Sequence, residues 1–313
     1  MPSLHRDPRT IETTTPDGSA FMLPFDPTEL ARYGGLTLLA RGLVEGALAG
    51  IHRSPLKGFS VEFAEHRPYC PGDEVRRIDW RTFGKTDRYY VKEFEDETNL
   101  TAYLVVDSSG SMRYRGRSAL SKFEVAQRVA ASLAYLLLAQ HDALGLIVHD
   151  TRIRAHCPPK TGSKHLLTVL RTLESASPGG ETALAATWNT VAGQYLKRRG
   201  LVVLITDGFD EIPRIRRALR RLRHRGHDLL FVNILAPEEI DFPFARPTRF
   251  RDFEKPHQVI PGTRERYRAN FTAWREGLSR ACNDVRAGRI DLRTDEPIDR
   301  ALGSYLARRA ARV

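Results

Sequence analysis

Five oxygen-bearing residues are spaced so that a hard divalent cation could sit among them. Asp107, Ser109 and Ser111 alternate in Asp107-Ser108-Ser109-Gly110-Ser111, Thr182 follows a Gly179-Gly180 pair, and Asp207 stands before Gly208. A carboxylate and two hydroxyls at alternate positions of a turn can face one point, and a second carboxylate and a third hydroxyl complete the set. These are oxygen donors alone, with no imidazole or thiolate, which suits Mg²⁺ and, less strictly, Mn²⁺ or Ca²⁺. So few protein oxygens leave water-filled positions on an octahedral ion, and a partner's carboxylate could occupy one.

The elements that must position these residues can be read around them. Thr101 to Val106 and Leu201 to Thr206 are apolar runs of the kind a strand buried on both faces requires, and each ends just before an aspartate. Ligands of open α/β sheets bind beyond the carboxyl ends of strands, where strand order reverses. If the two strands are neighbours there, Asp107 and Asp207 converge. Ser121 and Glu124 form a capping box that opens a helix to about Gln140. Strands at Leu144 to His149 and Arg152 to Cys157 turn at Asp150-Thr151. Helices follow from about Ser163 to Leu173, from about Ala183, and from Pro213 to Arg225. A strand at Asp228 to Leu235, another at Gln258 to Ile260, a helix from about Thr263 to Asn283, a strand at Arg289 to Leu292 and a helix from Pro297 complete the chain. This alternation predicts an α/β fold with a six-stranded, mainly parallel sheet flanked by helices, Arg152–Cys157 being its antiparallel edge. Residues 1–25 read as a flexible arm. Residues 26–99 read as an N-terminal helix, to about Gly50, and a small β-rich accessory element with strand-like runs at Gly58–Phe63 and Arg88–Phe94. Residues 100–313 form the principal domain.

With 313 residues, 41% of them hydrophobic, the chain can bury a large core. Lys plus Arg outnumber Asp plus Glu by 49 to 38, and the net charge of +11 favours an acidic partner, whether nucleic acid, anionic membrane or protein. Cys70, Cys157 and Cys282 are scattered, which fits neither a disulfide framework nor a zinc site and points to a reducing cytoplasm. The polar N-terminus lacks the apolar core of a signal peptide, and no apolar run approaches the roughly 20 residues that span a bilayer.

The order DxSxS, Thr, Asp resembles the metal-ion-dependent adhesion site of von Willebrand factor A domains, over about residues 100 to 260. The resemblance implies that Ser109, Ser111 and Thr182 bind the ion directly while Asp107 and Asp207 act mainly through water. The preceding Arg67-Pro68-Tyr69-Cys70-Pro71-Gly72-Asp73, Arg76, Ile78-Asp79-Trp80 and Val91-Lys92-Glu93-Phe94-Glu95 are similar to the signature that the bacterial DUF58 family carries before its A-type domain. Thr294-Asp295-Glu296-Pro297 fits the same family, so the resemblance spans most of residues 36–309. It implies a metal-dependent protein-binding module rather than an enzyme, acting as adaptor or co-chaperone for a MoxR-type AAA+ ATPase or meeting its client. Many relatives carry membrane helices that this sequence does not show. Within the signature, Arg67, Arg76 and Arg77 could pair with Asp73 and Asp79 beside Trp80.

Competing chemistries fit less well. Gly84-Lys85-Thr86 ends like a phosphate-binding loop, but Asp79 stands where the leading glycine is required. Ser109 with His149 or His165 lacks the GxSxG elbow of a serine hydrolase, so a metal-dependent hydrolase is the third reading. The second is a nucleic-acid-associated protein using Arg214 to Arg225. In that segment Ile215, Leu219 and Leu222 share one face and the arginines cover the wet one.

Overall fold

Strand-forming apolar runs build the centre of the molecule, and everything else is arranged to cover them. The computed structural model describes residues 66–68, 90–92, 100–243, 248–251, 259–262 and 264–298, with side chains described over 100–243 and 264–298. In chain order the elements are β1 (His66–Pro68), β2 (Tyr90–Lys92), β3 (Thr101–Asp107), α1 (Lys122–Ala139), β4 (Ala143–His149), β5 (Ile153–Lys160), α2 (Ser163–Ser175), α3 (Leu184–Thr190), β6 (Leu201–Thr206), α4 (Ile212–His224), β7 (Asp228–Leu235), α5 (Pro237–Asp241), β8 (Thr248–Arg251), β9 (Val259–Gly262), α6 (Arg264–Asp284) and β10 (Gly288–Arg293).

Six strands form the main sheet in the order β10-β7-β6-β3-β4-β5. Every neighbouring pair is parallel except β4–β5. The chain leaves β3 towards β4 on one side and returns to its other side with β6, so strand order reverses between β3 and β6. In open α/β sheets such a reversal is where ligands bind, beyond the carboxyl ends of the strands.

Burial follows the period of two. Leu104 and Val106 of β3 face α1 and α2, while Tyr103 and Val105 face α3, α4 and α6. Fully burying such side chains contributes roughly 1.5–3 kcal/mol each, so the two central strands are rigid supports for whatever stands at their ends. The Ser121 hydroxyl accepts the Glu124 N–H (3.2 Å) and Glu124 accepts the Ser121 N–H (2.7 Å), fixing the start of α1.

The expected fold class and antiparallel edge hold. The edge strand runs past Cys157 through Pro158-Pro159 to Lys160, which an edge permits because one side of it needs no donors. The strand expected near Gln258 is β9, and its antiparallel partner β8 carried no sequence signal. Within Arg88–Phe94 the described strand is β2, paired with β1. Gly58–Phe63, the arm, the N-terminal helix and the helix from Pro297 onward lie outside the described elements, and so do the side chains of the Arg67–Trp80 signature. Among the described residues no helix is long and apolar enough to cross a membrane.

Candidate metal centre

Asp107 is the last residue of β3 and Thr206 the last of neighbouring β6. The Thr206 hydroxyl donates to Asp107 Oδ2 (2.6 Å), and the Ser109 N–H donates to Oδ1 (2.8 Å), so the carboxylate is fixed from both sides. A 3₁₀ turn at Gly110–Arg113 then folds Ser111 back, leaving the Ser109 and Ser111 hydroxyl oxygens 3.2 Å apart. Neighbouring ligands on an octahedral ion with 2.0–2.1 Å bonds are about 3 Å apart. The two hydroxyls therefore stand like adjacent corners of such a shell.

The glycine loop is stapled onto this turn. Gly179 N–H donates to Ser108 O (2.8 Å) and Gly110 N–H donates to Gly180 O (2.9 Å). Gly180 has φ +80°, and a Cβ there would stand 2.6 Å from Asp150 Oδ2, so the position is restricted to glycine. Thr182 follows, half-buried, two residues beyond the staple. Asp207 begins the loop after β6. Its Oδ1 accepts the Phe209 N–H (3.2 Å), and its carbonyl accepts from the Asn233 amide (2.7 Å). All five expected residues thus stand at one end of the sheet, Asp107 at the end of β3 and the others on the segments beyond the strand ends.

The structure adds a residue that sequence reasoning missed. Lys122, at the first turn of α1, is fully buried, and its Nζ donates to Asp207 Oδ2 (2.8 Å) and Glu239 Oε1 (2.7 Å). A cation at a helix N-terminus opposes the macrodipole, so a lysine directly after the Ser121 cap was a signal that carboxylates must lie near. Burial works against the Lys122 charge, yet Asp207 and Glu239 overcome it and hold the ammonium above its ordinary range. Glu239 is itself raised by burial despite Lys122.

Burial, with Asp207 nearby, pushes Asp107 up to about 7 against the bonds from Thr206 and Ser109. When all are ionised, Asp107, Asp207 and Glu239 carry three negative charges against one on Lys122, a deficit of two that one divalent cation would balance. Among the described residues no trio of His, Cys, Asp or Glu converges as a ligand set. An ion here would depend on the serine and threonine hydroxyls, as a hard oxygen site would have it.

This arrangement carries a pH prediction. The folded pKa of Asp107 lies above its ordinary 3.8, so between about 4 and 7 the ion-free protein holds a proton that the unfolded chain has lost. The contribution of Asp107 to stability therefore falls as pH rises through that window. A cation bound beside Asp107 would have to displace the same proton, so any affinity for Mg²⁺ would rise towards tenfold per pH unit from about pH 5 and level off above about pH 7. Titration calorimetry across that range checks it, and a pH-independent affinity refutes it.

Neither histidine weighed for hydrolase chemistry is a free base beside Ser109. His149 ends β4 in register with Asp107, but burial pushes it down to about 4. Its Nδ1 lies 3.2 Å from Asp150 O, and its Nε2 accepts from Trp188 Nε1 (3.3 Å), so both ring nitrogens are engaged. His165 Nε2 lies 2.7 Å from Leu144 O, at the start of β4 and the opposite sheet end. In α4, Ile215, Leu219 and Leu222 are buried as expected, and Ala218 joins them. Arg214 pairs with Glu211, Arg223 with Asp228, and Arg216 and Arg220 with Asp284.

A mainly parallel six-stranded sheet in this order, flanked by helices, is the von Willebrand factor A-type fold. The chain belongs to the family described as protein of unknown function DUF58, whose model matches residues 65–277. It is 28% identical over 276 residues to the uncharacterised protein Rv1480 of Mycobacterium tuberculosis, covering 86% of each chain. Among solved structures it is similar to the conserved hypothetical protein BatB of Bacteroides thetaiotaomicron, at 18% identity and a TM-score of 0.46, covering 68% of this chain and 99% of that one. It is also similar to a von Willebrand factor type A protein of Catenulispora acidiphila, at 12% identity and a TM-score of 0.44, covering 68% and 42%.

Proposed function

We propose that this end of the sheet is a divalent-metal site through which the chain holds another protein. Ser109, Ser111 and Thr182 are the direct ligands, with Asp107 and Asp207 behind them, and the ion is Mg²⁺ or, less strictly, Mn²⁺ or Ca²⁺. The observation that carries this reading is the 3.2 Å separation of the Ser109 and Ser111 hydroxyls beside a carboxylate held by Thr206 and Ser109. Neutral direct ligands leave the ion electrophilic, and it supplies an open position for a partner's carboxylate. The chain's own residues orient that position: Lys122 locks Asp207, Thr206 locks Asp107, and the Gly179-Gly180 staple delivers Thr182.

The partner is a MoxR-type AAA+ ATPase or its client, towards which the chain acts as adaptor or co-chaperone, and the support is the family resemblance. The site works by binding rather than turnover, a reading supported by the engagement of both ring nitrogens of His149, the histidine in register with Asp107. A reducing cytoplasm suits Cys157 and Cys282, which are free and buried.

Calorimetry with Mg²⁺ tests the reading. Wild type is expected to show one site. Thr182→Ala removes a hydroxyl without removing charge, so its fold should be perturbed less than by loss of a buried carboxylate, while Mg²⁺ binds at least the roughly tenfold more weakly seen when a metal site loses even a supporting group. A wild type that binds no divalent ion, or a Thr182→Ala variant that binds as tightly as wild type, would falsify the ligand assignment.

A further inference from the structure

The apolar stripe of α6 presents two different surfaces. Its C-terminal half is buried: Leu278, Ala281 and Cys282 pack against the sheet and α4. Earlier on the same stripe, at i, i+4 and i+7, stand Tyr267, Phe271 and Trp274, whose rings are only half-buried. Length explains the difference. The 21 residues of α6 span about 30 Å, whereas the 6 residues of β10 that return antiparallel to it span about 20 Å. The first turns of α6 therefore overhang the sheet, at the same end as the metal centre.

The overhanging rings form a continuous ladder that leads to that centre. Centroids lie 4.2 Å apart for Phe242–Tyr267, 5.8 Å for Tyr267–Phe271, 5.5 Å for Phe271–Trp274 and 4.8 Å for Trp274–Phe209. Phe209 is two residues past Asp207, and Trp274 Nε1 donates to Gly208 O (3.3 Å), so the last rungs are tied to the Asp207 loop. Beside Phe271 a groove of about 450 Å³ opens between α6 and edge strand β10; apart from Phe271 and Ile240 its lining is polar, with Thr272, Arg275, Glu276, Ser279, Arg289 and Asp291. The first five residues of α6 carry Arg264, Arg266 and Arg268 against Glu265 alone, at a helix end whose dipole is also positive.

We infer that this aromatic ridge is the second half of the docking surface, and that it receives an apolar side chain flanking the partner's acidic one. The inference rests on the reading of the metal centre as the contact for a carboxylate. The occupant is a segment of a partner protein in which Asp or Glu stands within about one helical turn of Leu, Ile or Phe, with further acidic residues around them. The arginines at the start of α6 attract acidic neighbours and repel a basic segment. Half-exposed rings offer what charge alone cannot, a desolvated anchor of the kind that dominates interface energies.

Fluorescence polarisation of short synthetic peptides against the full chain in Mg²⁺ tests this. One peptide has a central Asp, adjacent Leu and Phe, and Glu elsewhere. A second replaces Leu and Phe with Ser, and a third replaces Asp with Asn. The first is expected to bind about tenfold or more tightly than the second, the scale of one apolar hot spot. Trp274→Ala or Phe271→Ala should reduce the first peptide to the level of the second, while Trp274→Phe keeps most of the preference and so excludes simple unfolding. Equal binding of the first two peptides, or a Trp274→Ala, Phe271→Ala double variant that keeps the preference, overturns the ridge and leaves the metal centre standing. If the Asn peptide binds as well as the first, the metal reading falls and the ridge stands. If no peptide binds, both fall.

Discussion

Replacing Lys122 with methionine is expected to destabilise the domain by about 3–5 kcal/mol, the loss seen when one partner of a buried ion pair is removed. The ammonium is fully buried between Asp207 and Glu239, and its removal strands both carboxylates beside Asp107. Domains of this kind are stable by only about 5–15 kcal/mol, so the variant approaches unfolding. The double variant Lys122→Met, Glu239→Gln should recover part of the loss, because one stranded charge is gone. Urea denaturation at neutral pH without divalent ions measures both. A Lys122→Met loss below about 1 kcal/mol, the level of a surface ion pair, would mean that the lysine does not hold the carboxylates in place. The same geometry alters the meaning of an Asp207→Ala experiment. That change also leaves the buried Lys122 with Glu239 as its one carboxylate partner, so lost binding there reports on the fold as well as on the ion, and Thr182→Ala is the cleaner probe.

The second large effect is on the partner complex, where chelation is expected to weaken binding by about a thousandfold. Opposite charges 4 Å apart gain on the order of 4 kcal/mol at an effective dielectric near 20, and about 1.4 kcal/mol is a factor of ten; desolvation makes this an upper figure. Moderate salt should only slow association. Binding of nucleic acid along α4 would behave in the opposite way, surviving chelator and collapsing steeply with salt. The variant that separates the two is Arg217→Glu, Arg221→Glu, since both side chains are exposed while Arg216 and Arg220 are already engaged with Asp284. A chelator-indifferent complex lost only in this variant would establish the nucleic-acid reading instead.

Much of this was legible in the chain because the central strands are extreme. Thr101–Val106 and Leu201–Thr206 are buried on both faces and admit almost no polar residue, so their ends, and the aspartates there, were marked by composition alone. The Ser121–Glu124 cap likewise stood in local sequence. Lys122 and Glu239 were not legible as a pair, because 117 residues separate them and only the packing of α5 against the start of α1 brings them together. The aromatic ladder was hidden for a related reason. Tyr267, Phe271 and Trp274 have the spacing of an ordinary core stripe, and only the mismatch in length between α6 and β10 shows that they overhang. The 3₁₀ turn that sets the Ser109–Ser111 distance is a matter of a few dihedral angles, which no period in the sequence records.

The two outer strands of the sheet bear on how the molecule behaves at high concentration. An unpaired strand edge is a template for self-association, and proteins guard it with prolines, bulges and charges. Edge strand β5 carries Pro158-Pro159 and an irregular register against β4 between Leu144 and Leu146. The opposite edge, β10, carries Arg289, Asp291 and Arg293 at alternate positions, with Arg289 bonded to Asp291 (2.8 Å) and Arg293 to Asp295 (3.0 Å). Neither edge invites another strand, so copies at high concentration should resist sheet-to-sheet aggregation.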